Sequence, residues 1–214
     1  LAYAVTVRFA PTSTPEQLAM AGALCRADAS LYMQTHVAEN RAEVAWVGEL
    51  FAQARSYLDV YDNVGLVHER SVLAHGIYLD PHDRVVIADR GAQIAHCPSS
   101  NLFLCSGLFD WRDAAVNISL ASDVGGGTSL NLQRNMQDAY KIQALRGERL
   151  TAWAALHAAT RGAAQALQLG DEIGGLSVGQ TADICVWDWA KGPVAEARDA
   201  VARELHERVF AWMT

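Results

Sequence analysis

The sequence predicts an α/β fold, specifically part of a TIM-type (β/α) barrel, and three observations lead to this prediction. Short apolar runs alternate with segments of helical periodicity, as in repeated βα units. The hydrophobic fraction of 51% suits a buried parallel sheet, and with 19% charged residues the chain is not disordered. Imidazole and carboxylate side chains follow the apolar runs, where a parallel barrel presents its active site.

The first βα unit is indicated by an apolar run that ends at Phe9 and by a helix start that follows it. Thr14 has the character of an N-cap, Pro15 suits the first helical position, and Gln17 suits the capping-box position. The predicted inward-facing residues of this helix are Leu18, Ala21, Cys25 and Ala29.

The second unit combines a run over 31–37, which has His36 near its end, with a helix over about 40–54. Apolar residues recur in this helix at intervals of three and four, which predicts one buried stripe. The residues of the stripe are Val44, Val47, Leu50, Phe51 and Ala54.

Three further strands are predicted over 72–77, 93–97 and 118–122. Asp80 and Pro81 predict a helix after the first of these, by the same N-cap and proline pattern. The five strands and their helices account for the chain to about residue 146.

The composition shifts toward alanine after Leu150. A long helix is predicted over 151–169, a single strand over 182–188, and a last amphipathic helix over about 194–213. Glycines between the first helix and the strand mark turns.

Charge and cysteine content exclude several classes of protein. The net charge of −7 and the pI near 5.4 argue against a nucleic-acid surface. No apolar stretch approaches the length of about 18 residues that spans a membrane, and no secretion signal is visible, so we expect a cytoplasmic protein without a membrane partner. The four cysteines form no CxxC pair and are expected to be reduced thiols: Cys25, Cys97, Cys105 and Cys185.

Four residues at the ends of predicted strands are candidates for a metal-dependent hydrolase site. A single strand-end histidine is usually structural, but His36, His75 and Asp123 each end a separate strand, which favours metal ligation. Their donor atoms suit zinc and, less selectively, iron. Glu39 has two interpretations, a helix-capping carboxylate or a general acid/base beside the metal. The zinc deaminases with HxE and PCxxC motifs are excluded, because the spacing here is HxxE and no PCxxC occurs.

The segments THVAE, AHG, AHCPSSN and SDVGGG occur in this order and resemble the amidohydrolase superfamily. HCPSSNLFL together with GLF resembles the guanine deaminases within it, and VRFAPT is similar to their purine-binding segment. GLSVGQTADI is similar to the return of the superfamily into its small β-sandwich.

This resemblance implies a role for each candidate in the metal site. His36 and His75 would be metal ligands, and Asp123 would be both a ligand and the base that deprotonates the metal-bound water. Glu39 would protonate the ring nitrogen beside the attacked carbon. The implied reaction is attack of metal-activated hydroxide on C2 of guanine, which gives xanthine and ammonia.

The resemblance also implies a substrate-binding segment. Arg8 would donate to the guanine carbonyl, and the backbone at Phe9 would help to hold the base. A solvated or ion-paired charge is the simpler interpretation of Arg8, although its planar fork suits a carbonyl beside a ring nitrogen. His96 is expected in the pocket wall or behind the ligands, and the glycines at 125–127 are expected to form a tight turn rather than a phosphate cradle.

The chain departs from the family pattern because none of its seven histidines forms a HisXHis pair. It therefore resembles only the C-terminal half of a guanine deaminase, about strands 4 to 8, and the chain alone is expected to be inactive or weakly active. The resemblance implies a partial barrel over 1–169, a return into the β-sandwich over 170–190, and a C-terminal helix over 191–214. It implies a homodimer for the full-length protein.

Two alternatives to this function remain open. One is an amidohydrolase that deaminates another aminopurine, a pterin or a triazine with the same metal chemistry. The other is a non-catalytic interaction module that keeps the fold and has lost the activity. Ammonia release from a panel of substrates distinguishes the first alternative from guanine deamination. The metal content of the protein distinguishes the second.

Overall fold

The computed structural model describes residues 2–112 and 116–214, and one parallel sheet organises its N-terminal two thirds. Leu1, in the first predicted run, and residues 113–115 lie outside the described residues. The sheet has five strands whose spatial order equals their order along the chain, and every neighbouring pair is parallel. The strands are β1 (Ala4–Thr6), β2 (Tyr32–Val37), β3 (Ser71–His75), β4 (Gln93–His96) and β5 (Asn117–Leu120).

Helices connect the strands and continue after the sheet. Those between strands are α1 (Pro15–Ala27), α2 (Arg41–Leu50), α3 (Tyr57–Asp62), α4 (Pro81–Asp89) and α5 (Pro98–Phe103), with a 3-10 turn over Ala10–Thr12. Those after the sheet are α6 (Leu132–Leu145), α7 (Ala152–Ala159), α8 (Arg161–Ala166), α9 (Pro193–Val201) and α10 (Leu205–Met213). None of the helices in the described part of the chain combines the length and apolarity needed to cross a membrane.

Local sequence explains where the early helices begin. Thr14 and Gln17 form the reciprocal capping box predicted for α1, with Pro15 in its first turn. Asp80 caps α4 ahead of its proline, which confirms the second predicted helix start. Asn40 caps α2 in the same way.

Two of the early helices end sooner than their apolar patterns predict. Ala29 is exposed beyond the end of α1, because the Asp28 side chain accepts from the backbone and hydroxyl of Ser30 and turns the chain away. The helix predicted to reach residue 54 ends at Leu50, which is exposed, so only part of its predicted stripe is buried.

The two long C-terminal helices predicted over 151–169 and 194–213 are each divided in two. The first breaks at Thr160, where φ is −132° and ψ is −101° and the hydroxyl donates to the carbonyl of Leu156 at 2.7 Å. The second breaks before Glu204, where the Glu207 carboxylate accepts the backbone N–H of Glu204 at 3.0 Å and starts the following helix.

The prediction of a strand over 182–188 is wrong. These residues form no regular element, and Ile184 and Val186 are exposed by 61% and 92%. Within the described residues no strand lies beside this segment, so its backbone has no partner with which to form a β-sheet.

The main core lies between the sheet and the helices that connect its strands. Its fully buried members include Leu18 from α1, Met33 and Leu73 from neighbouring strands, and Tyr61 from α3. A second cluster joins β5 to α6, α7 and α10. Strands β1 and β5 pair on one side only within the described residues, so both edges of the sheet are open.

Candidate active site

The carboxyl ends of the strands carry the candidate ligands, as parallel topology requires. His36 is the penultimate residue of β2, His75 is the last residue of β3, and Asp123 follows β5 by three residues. The sheet register pairs His36 with Ala74, so the two histidines are near neighbours. One ligand atom from each of the three candidates lies within 4.8 Å of the others, the one such group found in the described residues.

The ring of His36 is oriented by a backbone carbonyl. Its Nδ1 lies 2.5 Å from the carbonyl oxygen of Arg8, which also accepts the backbone N–H of His36 at 3.1 Å. Because a carbonyl can only accept, the ring proton is on Nδ1. The lone pair of Nε2 is therefore free for a metal, the arrangement that second-sphere contacts commonly give to ligating histidines.

The ring of His75 is buried and stacks on that of His36 at 5.3 Å with an interplanar angle of 20°. Its Nδ1 contacts the side-chain amide of Asn101 at 2.9 Å, and its Nε2 has no hydrogen-bond partner. When the amide oxygen faces the ring, Nε2 has a free lone pair, and when the nitrogen faces it, Nε2 carries a proton. Burial lowers the pKa of His75, against the nearby carboxylates, which favours a neutral imidazole.

Glu39 points its carboxylate toward the two histidines rather than toward the end of α2. One of its oxygens accepts from the Ser106 hydroxyl at 2.7 Å, and the other lies 3.7 Å from Nε2 of His75. The capping role considered for this residue belongs to Asn40 and Glu43, whose carboxylate accepts the backbone N–H of Glu39 at 3.0 Å. The Glu39 carboxylate is therefore available to a ligand.

Asp123 is held by a tight turn that only glycines can form. A Cβ at Gly127 would lie 1.8 Å from the carbonyl oxygen of Ser122, and one at Gly126 would lie 2.8 Å from the Asp123 carboxylate. An oxygen of Asp123 lies 4.0 Å from Nε2 of His75. The glycine run thus brings the carboxylate close to the histidines, as the sequence predicts for a turn at this position.

Left-handed backbone conformations are concentrated around this cluster. Among the described non-glycine residues with positive φ, four lie in or beside it, and the fifth is Gln168. The four are Ala38 at 48°, His75 at 70°, Cys105 at 55° and Asp123 at 45°. Such conformations cost about 1 kcal/mol or more each and are typical of functional sites.

The predicted base-binding segment borders the same cleft. The cleft has a volume of about 380 Å³, and its lining includes Arg8, His36 and Asp123. The guanidinium of Arg8 lies 4.8 Å from the centre of the Phe9 ring, which contacts His36 edge to face at 6.4 Å. A larger groove of about 1060 Å³ beside α7 and α10 contains none of the candidate ligands.

His96 and Cys97 lie behind the cluster without joining it. His96 is fully buried, its Nδ1 accepts from the Trp111 indole at 3.0 Å, and its Nε2 is unpartnered. Burial lowers the pKa of His96 to about 3, which keeps the ring neutral. Burial also raises the pKa of the Cys97 thiol, which argues against a thiolate ligand.

Three residues that contact this site were not singled out from the sequence. Asn101 belongs to the AHCPSSN segment, so its position beside a strand end was a usable signal. Ser106 reaches Glu39 across 67 positions of the chain, and Tyr61 reaches His36 from α3 across 25. No local pattern marks either of these two.

Comparisons with known proteins identify the family of the chain. The model of the amidohydrolase family matches residues 1–207. Guanine deaminase of Escherichia coli strain K12 is 39% identical over 217 residues, which is 100% of this chain and 49% of that protein. The chain therefore spans about half the length of the curated relatives it matches.

Solved structures give the same result. E. coli guanine deaminase superimposes with a TM-score of 0.97 over 100% of this chain and 51% of that one. Guanine deaminase of C. acetobutylicum with bound guanine is 27% identical, with a TM-score of 0.75 over 80% of this chain and 43% of that one. An adenosine deaminase of Xanthomonas campestris with bound zinc is 25% identical, with a TM-score of 0.81 over 97% of this chain and 47% of that one.

Proposed function

Since this chain belongs to the amidohydrolase family, we propose that it acts in the hydrolytic deamination of guanine to xanthine and ammonia. The observation that carries the proposal is the convergence of His36, His75 and Asp123 within 4.8 Å, with Glu39 beside them. The likeness to guanine deaminases, one of them with bound guanine, supports guanine as the substrate.

The assignment of the strands to a barrel is part of the proposal. We assign the five parallel strands to about strands 4 to 8 of a TIM-type barrel. The partial barrel then occupies 1–169, the return toward a small β-sandwich 170–190, and the C-terminal helical segment 191–214. The parallel order of the strands and the likeness to the E. coli enzyme support this assignment.

The donor set fits a zinc ion. His36 Nε2 has a free lone pair, His75 Nε2 is a buried and unpartnered ring nitrogen, and Asp123 adds a carboxylate. These are the donor types that zinc prefers, and iron is the less selective alternative. These three residues would hold the ion, which would lower the pKa of a water molecule to about 7 and so supply a nucleophile near neutral pH.

The carboxylates of the chain carry the proton transfers in this proposal. Asp123 accepts a proton from the attacking water, and Glu39 delivers one to the ring nitrogen beside C2. The water oxygen bonds to C2, and Asp123 passes the proton that it took from water to the amino nitrogen. The bond between C2 and that nitrogen then breaks and ammonia leaves, while the proton of the new C2 hydroxyl returns to Glu39 and a C2 carbonyl forms. The Ser106 hydroxyl holds one oxygen of Glu39, which leaves the other facing the cluster.

The segment around Arg8 binds the base. The guanidinium of Arg8 donates to the guanine carbonyl, and the backbone at Phe9 holds the ring edge. The exposed side chain of Arg8 at the cleft and the contact of the Phe9 ring with His36 support this role.

Zinc titration with a chromophoric chelator, followed by a substrate panel, tests the proposal. We expect the protein to bind about one equivalent of zinc, and His36→Ala or Asp123→Ala to weaken the affinity at least about tenfold. His82→Gln, on the exposed face of α4, is the matched control and should leave the affinity unchanged. Protein that binds no zinc contradicts the proposed metal site.

The panel then decides the substrate. Guanine should release more ammonia than adenine, a pterin or an aminotriazine, and Glu39→Gln should lower that rate about 100-fold or more without loss of zinc. A preference for any other member of the panel rejects guanine. Zinc binding with no ammonia from any compound favours a non-catalytic role.

The remaining expectations for this protein stay predictions. They are the absence or weakness of activity in this chain alone, a cytoplasmic location, a homodimer in the full-length protein, and the absence of nucleic-acid or membrane partners. The charge of −7 supports the expectation for nucleic acid.

A further inference from the structure

The hydroxyl of Tyr61 is a buried junction between two parts of the candidate site. It donates to the carbonyl oxygen of His36 at 2.9 Å and accepts from the backbone N–H of Ala10 at 2.8 Å. Its second lone pair accepts from the Thr35 hydroxyl at 3.0 Å. A phenol has one proton and two acceptor positions, so all of its hydrogen-bonding capacity is used.

These bonds join segments that are far apart in sequence. Ala10 follows the base-binding residues Arg8 and Phe9, whereas Thr35 and His36 end the strand that carries a ligand. The same two segments also meet where the His36 ring contacts the carbonyl of Arg8. The Tyr61 hydroxyl therefore adds a second connection between these two segments. Both connections fix the orientation of the His36 imidazole.

Tyr61 is suited to holding this geometry and not to proton transfer. Its side chain is fully buried, and its one proton is committed to the carbonyl oxygen of His36. Its helix α3 is fixed by Ser56, whose side chain accepts from the backbone N–H of Asp59.

We propose that Tyr61 is a positioning residue that locks the Arg8–Ala10 segment against the His36 strand end, so that metal affinity and base affinity depend on one hydroxyl. This inference rests on the proposed function of the same site. It predicts that removal of the Tyr61 hydroxyl alone weakens the binding of both zinc and guanine.

The test compares Tyr61→Phe with Tyr57→Phe. Tyr57 lies one turn earlier in α3, is also buried, and donates to Glu43 at 2.7 Å. Glu43 also accepts the backbone N–H of Glu39, so this control reaches the site through the start of α2 and not through the Arg8–Ala10 segment. Each variant keeps its ring and loses one buried hydroxyl, so a general loss of stability should be similar in both. Zinc affinity is measured by chelator competition, and exchange of the His36 backbone amide by NMR in metal-free protein.

We expect Tyr61→Phe to raise the zinc Kd at least about tenfold, as supporting contacts of metal ligands typically do. The His36 amide, which donates to Arg8, should exchange at least about tenfold faster, because the segment that supplies its acceptor is released. Tyr57→Phe should change neither quantity more than about threefold, and KM for guanine should rise in Tyr61→Phe alone.

The inference is overturned if Tyr61→Phe keeps wild-type zinc affinity or wild-type protection of the His36 amide. It is also overturned if the two variants lose both quantities equally. Failure of the proposed function looks different, because then the unsubstituted protein itself binds no zinc. The amide measurement needs neither metal nor turnover and still decides whether Tyr61 holds the segment.

Discussion

His96 is a fully buried histidine whose ring can accept a proton only at a cost. Its folded-state pKa is lowered by burial to about 3, below the ordinary value of 6.5. Between these values the unfolded chain binds a proton that the folded chain does not, so the free energy of unfolding falls as the pH falls through this window. Above pH 6.5 the residue makes no pH-dependent contribution.

We therefore expect the protein to lose stability below pH 6.5, by about 1.4 kcal/mol per pH unit for this residue. His96→Gln should have a shallower pH dependence in urea unfolding between about pH 7.5 and 5. The exposed His82→Gln is the control. Equal slopes in His96→Gln and the parent protein would contradict the assignment.

At the residue scale, the candidate ligands could be predicted because residue type and strand position both carry information. His36, His75 and Asp123 follow apolar runs, and parallel topology brings such positions together. The contact from Ser106 to Glu39 could not be predicted, because it depends on the path of a loop far along the chain.

A charged cluster ties α3 to α4 at the element scale. Asp83 is 3% exposed and accepts from the Ser56 hydroxyl at 2.6 Å and from the Arg55 guanidinium. Arg55 also contacts Asp80, the N-cap of α4, at 2.6 Å. One guanidinium thus connects the starts of both helices.

We expect Asp83→Ala to lower the free energy of unfolding by about 2 kcal/mol, because it removes a buried carboxylate that accepts from Ser56 and Arg55. Asp188→Ala removes an ion pair with Lys191 whose side chains are 74% and 72% exposed, and should change stability by less than about 0.5 kcal/mol. Urea denaturation measures both variants. Similar losses of stability in the two variants would show that the burial of Asp83 does not determine how much the charged cluster stabilises the protein.

Elements with strong terminal signals were the most predictable. The capping residues Thr14 and Asp80 start α1 and α4 where the sequence places them, because their bonds are local. The break at Thr160 and the missing strand over 182–188 depend on tertiary context, which periodicity does not contain.

At the scale of the whole molecule, the described residues leave two edge strands in the sheet. The backbone of β1 pairs only with β2, and β5 only with β4, within the described residues. Unpaired strand edges favour association with other chains. The net charge of −7 opposes this association, and salt screens that repulsion.

We expect self-association that increases with protein concentration and with salt. Thr6→Lys places a charge on an exposed residue of β1 and should lower the associated fraction several-fold in light scattering. Thr181→Lys makes the same change of charge on an exposed residue outside the sheet and is the control. Each variant makes the net charge less negative, from −7 to about −6, so charge alone should not reduce association. If both variants change association equally, the strand edge is not responsible.

Because spatial order equals chain order in the sheet, each new strand docks on the one completed just before it. During synthesis, each strand after the first can therefore pair with the strand made just before it, and none needs a partner from a distant part of the chain. The candidate ligands come from β2, from β3 and from the turn after β5, so the last of them appears only at Asp123. The three candidate ligands can therefore come together only once β2, β3 and the turn after β5 are all in place.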